Sequence, residues 1–160
     1  MGRSLVLLTL RCRWILYSST NYRSDSGDKD MAERKTRILL GRLGEGYKEA
    51  LLNLAKSLGD AGFEVIYTEL QEPEALVKSA LQESVDHIGI TTLPGADIDA
   101  FAEMRRILKE EASEHITITA GGFLDEGDIP KIKAMGVMEF FPKGTSLREL
   151  TSWARDHIKS

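Results

Sequence analysis

The chain has 160 residues, 42% hydrophobic and 29% charged, with 14 Gly, 4 Pro and 1 Cys, the composition of one ordinary α/β domain. It is too short for a (β/α)₈ barrel of its own, which takes about 250 residues, and the lone Cys12 excludes an internal disulfide framework or a thiolate-clustered metal site, in keeping with a reducing, cytoplasmic setting. A formal charge of −4 with no basic stripe argues against a phosphate backbone as the main ligand.

Residues 1–30 differ in kind from the rest. Arg3, Arg11, Arg13, Arg23 and Lys29 against Asp25, Asp28 and Asp30 give a net +2 there and −6 for the remainder. The apolar run 5–8 is cut by Arg11 and Arg13, far short of the ~20 residues that cross a bilayer, so no membrane partner is expected. Residues 1–24 are partly in the style of an organelle presequence. Met31, opening Met-Ala-Glu-Arg-Lys, is a natural start, so residues 1–30 are expected to be an N-terminal extension, disordered or read from an upstream start codon, and 31–160 the domain.

From Met31 onward, β-branched runs alternate with amphipathic stretches, the signature of a parallel sheet covered on both faces. The first strand is predicted over 37–40. A helix over 47–59 follows, with Leu51, Leu54, Ala55 and Leu58 inward and Gly59 and Gly62 marking its end. A strand over 64–68 leads to a helix over 73–82, opened by Pro73, with Leu76, Ala80 and Leu81 inward. The third strand, 87–91, precedes a helix capped by Asp97. The fourth, 116–119, precedes a short helix entered through Asp128 and Pro130. The fifth, 137–141, precedes a helix capped by Thr145 or Ser146, with Leu147, Leu150, Trp153 and Ala154 on one face.

Open sheets of this kind bind ligands outside the carboxyl ends of their strands, which directs attention to loops 41–46, 91–96, 120–125 and 142–145. A receiver domain would need a phosphoacceptor Asp ending strand three and paired acids ending strand one to hold Mg²⁺; Thr91 and Gly41-Arg42 stand there, although Lys143 follows strand five. Gly41, Gly44, Gly46 and Glu69 imitate a dinucleotide fingerprint without its G-x-G-x-x-G spacing, so nucleotide or phosphate binding by 41–46 is a weak reading. No G-x-S-x-G nucleophile elbow occurs. His87, His115 and His157 are scattered and are expected to be surface or strand-edge residues rather than metal ligands. Tyr47 opens the first helix on the ligand side, either as a packed aromatic or facing a bound ring.

The segments DAGFEVIYTEL (60–70), EPE (72–74), VDHIGITTL (85–93), AGG (120–122), DIP (128–130) and GTSL (144–147) together resemble the cobalamin (B12)-binding domain of methylmalonyl-CoA mutase and related adenosylcobalamin-dependent acyl-CoA mutases, over nearly all of 36–158. That family carries D-x-H-x-x-G after strand one, S-x-L after strand three and a glycine pair after strand four. Thr91-Thr92-Leu93 replaces S-x-L and keeps a hydroxyl where the cofactor's nucleotide tail is lined; Gly121-Gly122 is intact, and glycines there allow close backbone approach. The first fingerprint reads Glu45-Gly46-Tyr47-Lys48-Glu49-Ala50, in a loop one residue shorter than the family pattern. The cobalt-binding His is therefore replaced by Tyr47, Glu45 keeps the acid without its partner, and Ala50 replaces Gly. A phenol with a pKa near 10 is a poor cobalt donor at neutral pH, so no protein metal ligand is expected.

The resemblance implies a flavodoxin-like (Rossmann-like) sheet of order 2-1-3-4-5 with helices on both faces. It implies cobalamin, in its adenosyl form, as cofactor, with Glu45, Gly46, Tyr47, Ala50, Thr91, Leu93, Gly95, Gly121, Gly122, Gly144 and Thr145 around it and no catalytic residue in this chain. It further implies an isomerase subunit that is inactive alone and works with a (β/α)₈-barrel mutase subunit. The rival is a degenerate B12 domain kept as a non-catalytic interaction or regulatory module, expected to fill the tail's place with Tyr47, Phe123 or Leu124.

Overall fold

A computed structural model describes residues 33–46 and 48–160. The expectations for residues 1–30 and for the Tyr47 side chain lie outside the described residues.

Five βα units alternate along the chain. The strands are β1 (Arg37–Leu43), β2 (Glu64–Tyr67), β3 (His87–Thr92), β4 (Thr117–Gly122) and β5 (Phe140–Pro142). The helices are α1 (Glu49–Asp60), α2 (Pro73–Gln82), α3 (Asp99–Glu110), α4 (Ile129–Ala134) and α5 (Leu147–His157). All four strand pairings are parallel and the order is β2-β1-β3-β4-β5, as the resemblance implies. Among the described residues no helix is long and apolar enough to cross a membrane.

The period-two alternation of each strand distributes its side chains between two cores. Leu39, Leu43, Ile88, Ile90, Ile118 and Ala120 face a large core with Leu76, Val77 and Ala80 of α2, Phe101, Met104 and Leu108 of α3, and Ile132 of α4. Ile38 and Leu40 point the other way, into a smaller core with Leu51 and Leu58 of α1 and Ala154 and Ile158 at α5. So α2, α3 and α4 cover one face, and α1 and α5 belong to the other.

The helix signals act locally as elementary capping physics requires. Ser146 Oγ accepts from the Glu149 amide at 3.2 Å and opens α5. Pro73 stands in the first turn of α2. Asp97 lies one residue outside the expected cap, since Ile98 holds that position, yet its carboxylate accepts from the Asp99 amide at 3.0 Å.

Three strands run past their predicted ends. β1 runs to Leu43, β3 to Thr92 and β4 to Gly122, because each finds a parallel neighbour that continues its hydrogen-bond ladder past the predicted end. β5 shrinks to three residues. Gly59 lies inside α1, which ends at Asp60, and it is Gly62, at φ +104°, that turns the chain. Leu147 is 39% exposed rather than inward, because α5 starts at the carboxyl edge, where its first turn has no strand beneath it.

Phe101 is fully buried against both α2 and the sheet. Phe101→Ala is expected to cost about 3–5 kcal/mol, read as a lower urea midpoint at unchanged slope. Leu52→Ala, at a position 51% exposed, should move stability by less than about 0.5 kcal/mol.

Candidate functional site

Parallel strands buried on both faces ordinarily carry bulky apolar residues on both. Strands β3 and β4 do not. Toward α2, α3 and α4 they present Ile88, Ile90, Ile118 and Ala120. On the face shared with α1 and α5 the register forms three rungs across β1, β3 and β4: Ile38, His87 and Thr117; Leu40, Gly89 and Thr119; Arg42, Thr91 and Gly121. Phe141 of β5 extends the last rung. On β3 and β4 this face is therefore made of glycine, threonine and one histidine. Although Gly89 lies in the middle of the central strand, it is part-exposed, as are Thr91 and Gly121.

Each small residue has an identifiable neighbour. A methyl group on Gly89 would come 2.8 Å from Leu40 Cδ2, with Thr119 Oγ1 3.9 Å away. One on Gly121 would come 2.9 Å from the Phe141 carbonyl oxygen. Gly122 has φ +119°, and a Cβ there would lie 2.4 Å from the Thr92 carbonyl oxygen. The glycine pair is thus required by the sheet itself, in addition to whatever approaches it from outside.

The first two fingerprint loops meet at the top of these rungs. Gly44 donates its N–H to Gln71 Oε1 at 3.0 Å, Glu45 donates to the Pro94 carbonyl at 3.4 Å, and Leu93 donates to the Leu43 carbonyl at 2.9 Å. A Cβ on Gly46 would touch the Leu93 side chain at 3.3 Å. Glu45 and Gly46 are exposed on that loop, and Ala50 is exposed in the first turn of α1. Gly95 (φ +82°) and Gly144 (φ +97°) have nothing within 4 Å of a Cβ and serve backbone turns. Thr145 is committed to its own turn, its hydroxyl donating to the Pro142 carbonyl at 2.7 Å.

Arg42 was not singled out from the sequence, yet it ends the rung that carries Thr91. Its Nη1 donates to the Gly46 carbonyl at 3.1 Å, while its buried Nε has no hydrogen-bond partner among the described residues. Beside it Lys48 pairs with Glu69, and the Tyr67 hydroxyl donates to Glu69 Oε1 at 3.3 Å. The Lys48 ammonium holds the Glu69 carboxyl below its ordinary range. Partial burial, and then the Glu69 charge, raise the Tyr67 phenol. The opposite rim carries Lys143, whose ammonium lies 4.4 Å above the exposed Phe123 ring. Leu124 packs into the core of the other face.

His87 corrects the expectation of a surface or strand-edge histidine. It is 1% exposed. Its Nδ1 lies 2.6 Å from Thr117 Oγ1 and its Nε2 lies 2.8 Å from Thr119 Oγ1. Burial lowers its pKa to about 3, so the imidazole is neutral. The signal was present as His-x-Gly-x-Thr facing Thr-x-Thr-x-Gly; only the pairing of β3 with β4 makes one surface of it. His115 is exposed, and exposed His157 stacks on Trp153 with ring centroids 4.4 Å apart.

Fold and face together define a doubly wound, flavodoxin-like α/β domain with a small-residue face running along its central strands to their carboxyl ends. The B12 binding domain model matches residues 37–149. The chain belongs to the B12-binding domain family. It is 32% identical over 117 residues to the 2-hydroxyisobutanoyl-CoA mutase small subunit of Aquincola tertiaricarbonis, covering 72% of this chain and 86% of that protein. It is 33% identical over 119 residues to the pivalyl-CoA mutase small subunit of Xanthobacter autotrophicus, covering 73% and 80%. Against the methylmalonyl-CoA mutase large subunit of Propionibacterium freudenreichii it is 30% identical over 118 residues, covering 72% of this chain but only 16% of that one. A cobalamin-binding protein from Desulfitobacterium hafniense superposes with TM-score 0.65 at 15% identity, covering 79% and 60%. A response regulator from Thermotoga maritima superposes with TM-score 0.62 at 19% identity, covering 79% and 100%. These last two share the fold.

The buried imidazole couples stability to pH. His87 takes up a proton near 6.5 when unfolded and near 3 when folded. Between those values the unfolded chain binds the extra proton, so stability falls as pH drops, by up to about 1.4 kcal/mol per pH unit. Urea unfolding from pH 6.5 to 4 should show this slope, and His87→Val should lose it while keeping whatever part the carboxylates contribute.

Proposed function

We propose that this chain is the cytoplasmic, cobalamin-binding small subunit of an adenosylcobalamin-dependent acyl-CoA mutase, with Tyr47 standing where the family has its cobalt-ligating histidine. The observation that carries the reading is the small-residue face of β3 and β4, where glycine and threonine stand in place of the bulky apolar side chains that a parallel strand buried on both faces ordinarily carries.

The residues present fit such a cofactor. Gly89, Thr91 and Gly121 are part-exposed on one surface, and Arg42 brings to its end a buried Nε donor that has no partner among the described residues. Of the three side chains that the rival interaction module would bury on that surface, Leu124 packs into the opposite core, Phe123 is 44% exposed, and Tyr47 lies outside the described residues. Thr91, Leu93, Gly121 and Gly122 would hold the nucleotide tail, and Glu45, Gly46, Tyr47 and Ala50 would lie toward the corrin ring, with Gly95, Gly144 and Thr145 shaping the surrounding turns. The cofactor, when bound, supplies the radical chemistry of cobalt–carbon cleavage.

This chain's own work is binding, orientation and exclusion of water. The backbone bonds between the loops of β1 and β3 fix the seat of the ring, and the glycines let the tail pass close to the sheet. Phe123 and Leu147, apolar and 44% and 39% exposed near the carboxyl edge, suit burial by a barrel-type catalytic subunit holding the acyl-CoA. No acid, base or nucleophile for the acyl group is assigned to this chain.

Purified protein mixed with aquocobalamin and desalted should retain the corrinoid and keep a spectrum without protein imidazole ligation. Tyr47→His should acquire the imidazole-ligated spectrum, and Thr91→Tyr should retain at least about tenfold less corrinoid at unchanged circular dichroism. Wild-type protein that retains no corrinoid would overturn the reading in favour of the interaction module.

A further inference from the structure

Helix α1 begins without the local signals that start α2 and α5. Its cap residue, Lys48, has helical backbone angles and makes no side-chain cap hydrogen bond, whereas Pro73 opens α2 and Ser146 caps α5. Lys48, Glu49 and Ala50 are exposed, and the first side chain of the helix to enter a core is that of Leu51. A first turn with neither a cap nor a buried contact frays on its own account. Support reaches it from another loop. The Lys48 ammonium pairs with Glu69, just beyond β2, and Glu69 in turn accepts from the Tyr67 hydroxyl at 3.3 Å. At the other end of the same turn Gly44 donates to Gln71 Oε1 at 3.0 Å, so residues 44 and 48 are both tied to the β2–α2 connection. Between them Glu45 donates to the Pro94 carbonyl and Gly46 lies against Leu93, in the loop after β3.

We infer that Lys48 and Glu69 form an electrostatic latch that sets the first turn of α1, and with it the loop after β1, in the free protein. The latch itself stands on the chain's own contacts; its meaning for function rests on the cobalamin reading above, under which this loop seats the corrin ring and the two residues are positioning residues that assemble the seat before the ligand arrives. An exposed ion pair contributes little to a whole fold. It governs this turn because no cap and no buried side chain compete with it there. The Leu52 amide, which donates to the Lys48 carbonyl at 3.0 Å, closes the first hydrogen bond of the helix and reports whether the turn is formed. Its counterpart in α5 is the Leu150 amide, bonded to the Ser146 carbonyl at 3.0 Å beneath a side-chain cap.

The test is amide hydrogen exchange of the full chain, read residue by residue by NMR. In Lys48→Met and in Glu69→Gln the Leu52 amide should exchange about twofold to fivefold faster than in wild type, while Leu150 and the amides of β3 keep their rates. The double variant should exchange no faster than either single one, as two groups that act only through each other require, and Lys48→Arg should restore most of the protection. Sodium chloride at about 1 M, which screens exposed pairs, should speed Leu52 in the wild type and leave it unchanged in Lys48→Met. A Leu52 rate indifferent to both single substitutions, effects that add in the double variant, or an equal salt response in wild type and Lys48→Met would overturn the latch and leave the cobalamin reading intact. Saturating aquocobalamin should slow Leu52 in wild type and Lys48→Met alike. Protein that retains no corrinoid would overturn the cobalamin reading and the latch's role in seating a ring, whereas the exchange rates of the free chain judge the latch itself.

Discussion

The constraint on which this structure turns is that one pair of adjacent parallel strands has two unlike faces. The register that sets Ile88 beside Ile118 also sets Gly89 beside Thr119 and Thr91 beside Gly121. One face can then be packed to interior density by α2, α3 and α4, while the other offers glycine, threonine and one buried imidazole and no aliphatic side chain for a helix to rest on. The remaining helices are held from the flanks. Helix α1 is seated by Leu51 and Leu58 on Ile38 and Leu40 of β1. Helix α5 is seated by Ala154 in that same cluster and by Trp153, whose ring meets Phe141 of β5 edge-on at 5.2 Å. The ground between the two supports is the small-residue surface.

Much of the architecture is legible in the chain because it depends on local signals that agree with one another. Alternation of β-branched runs with three-and-four spaced leucines gives five units; Pro73 and Ser146 mark two helix starts at the residue. Strand ends are less legible, since β1 reaches Leu43 only because β3 lies beside it with Thr92 at the matching rung, a partner 49 positions away that no local window contains. The same non-locality hid the polar face. His87, with no metal-ligand spacing, reads as unremarkable until Thr117 and Thr119 arrive from the neighbouring strand. Arg42 carries no such signal in the sequence, because its interest lies in a buried Nε without a partner among the described residues, a property of burial rather than of residue type. The turn glycines behave in the opposite way: Gly95 and Gly144 look like ligand-approach positions in the sequence, and the structure gives them open surroundings and a positive φ.

A strand face can lose its apolar filling at small cost to the fold if the other face and the flanks carry the packing, and that separates two questions often answered together. The same order of strands superposes on a response regulator as well as on a cobalamin-binding protein, so topology alone chooses neither chemistry. The choice is made at the top rung. A receiver needs carboxylates there to gather Mg²⁺, and a guanidinium at Arg42 beside the hydroxyl of Thr91 would repel the metal and ligate it poorly. That rung and those below it instead present hydroxyls and glycine beside the leucine of β1, a surface without a carboxylate. Receiver chemistry asks for carboxylates at the ends of β1 and β3, and in this chain Arg42 and Thr91 stand there instead.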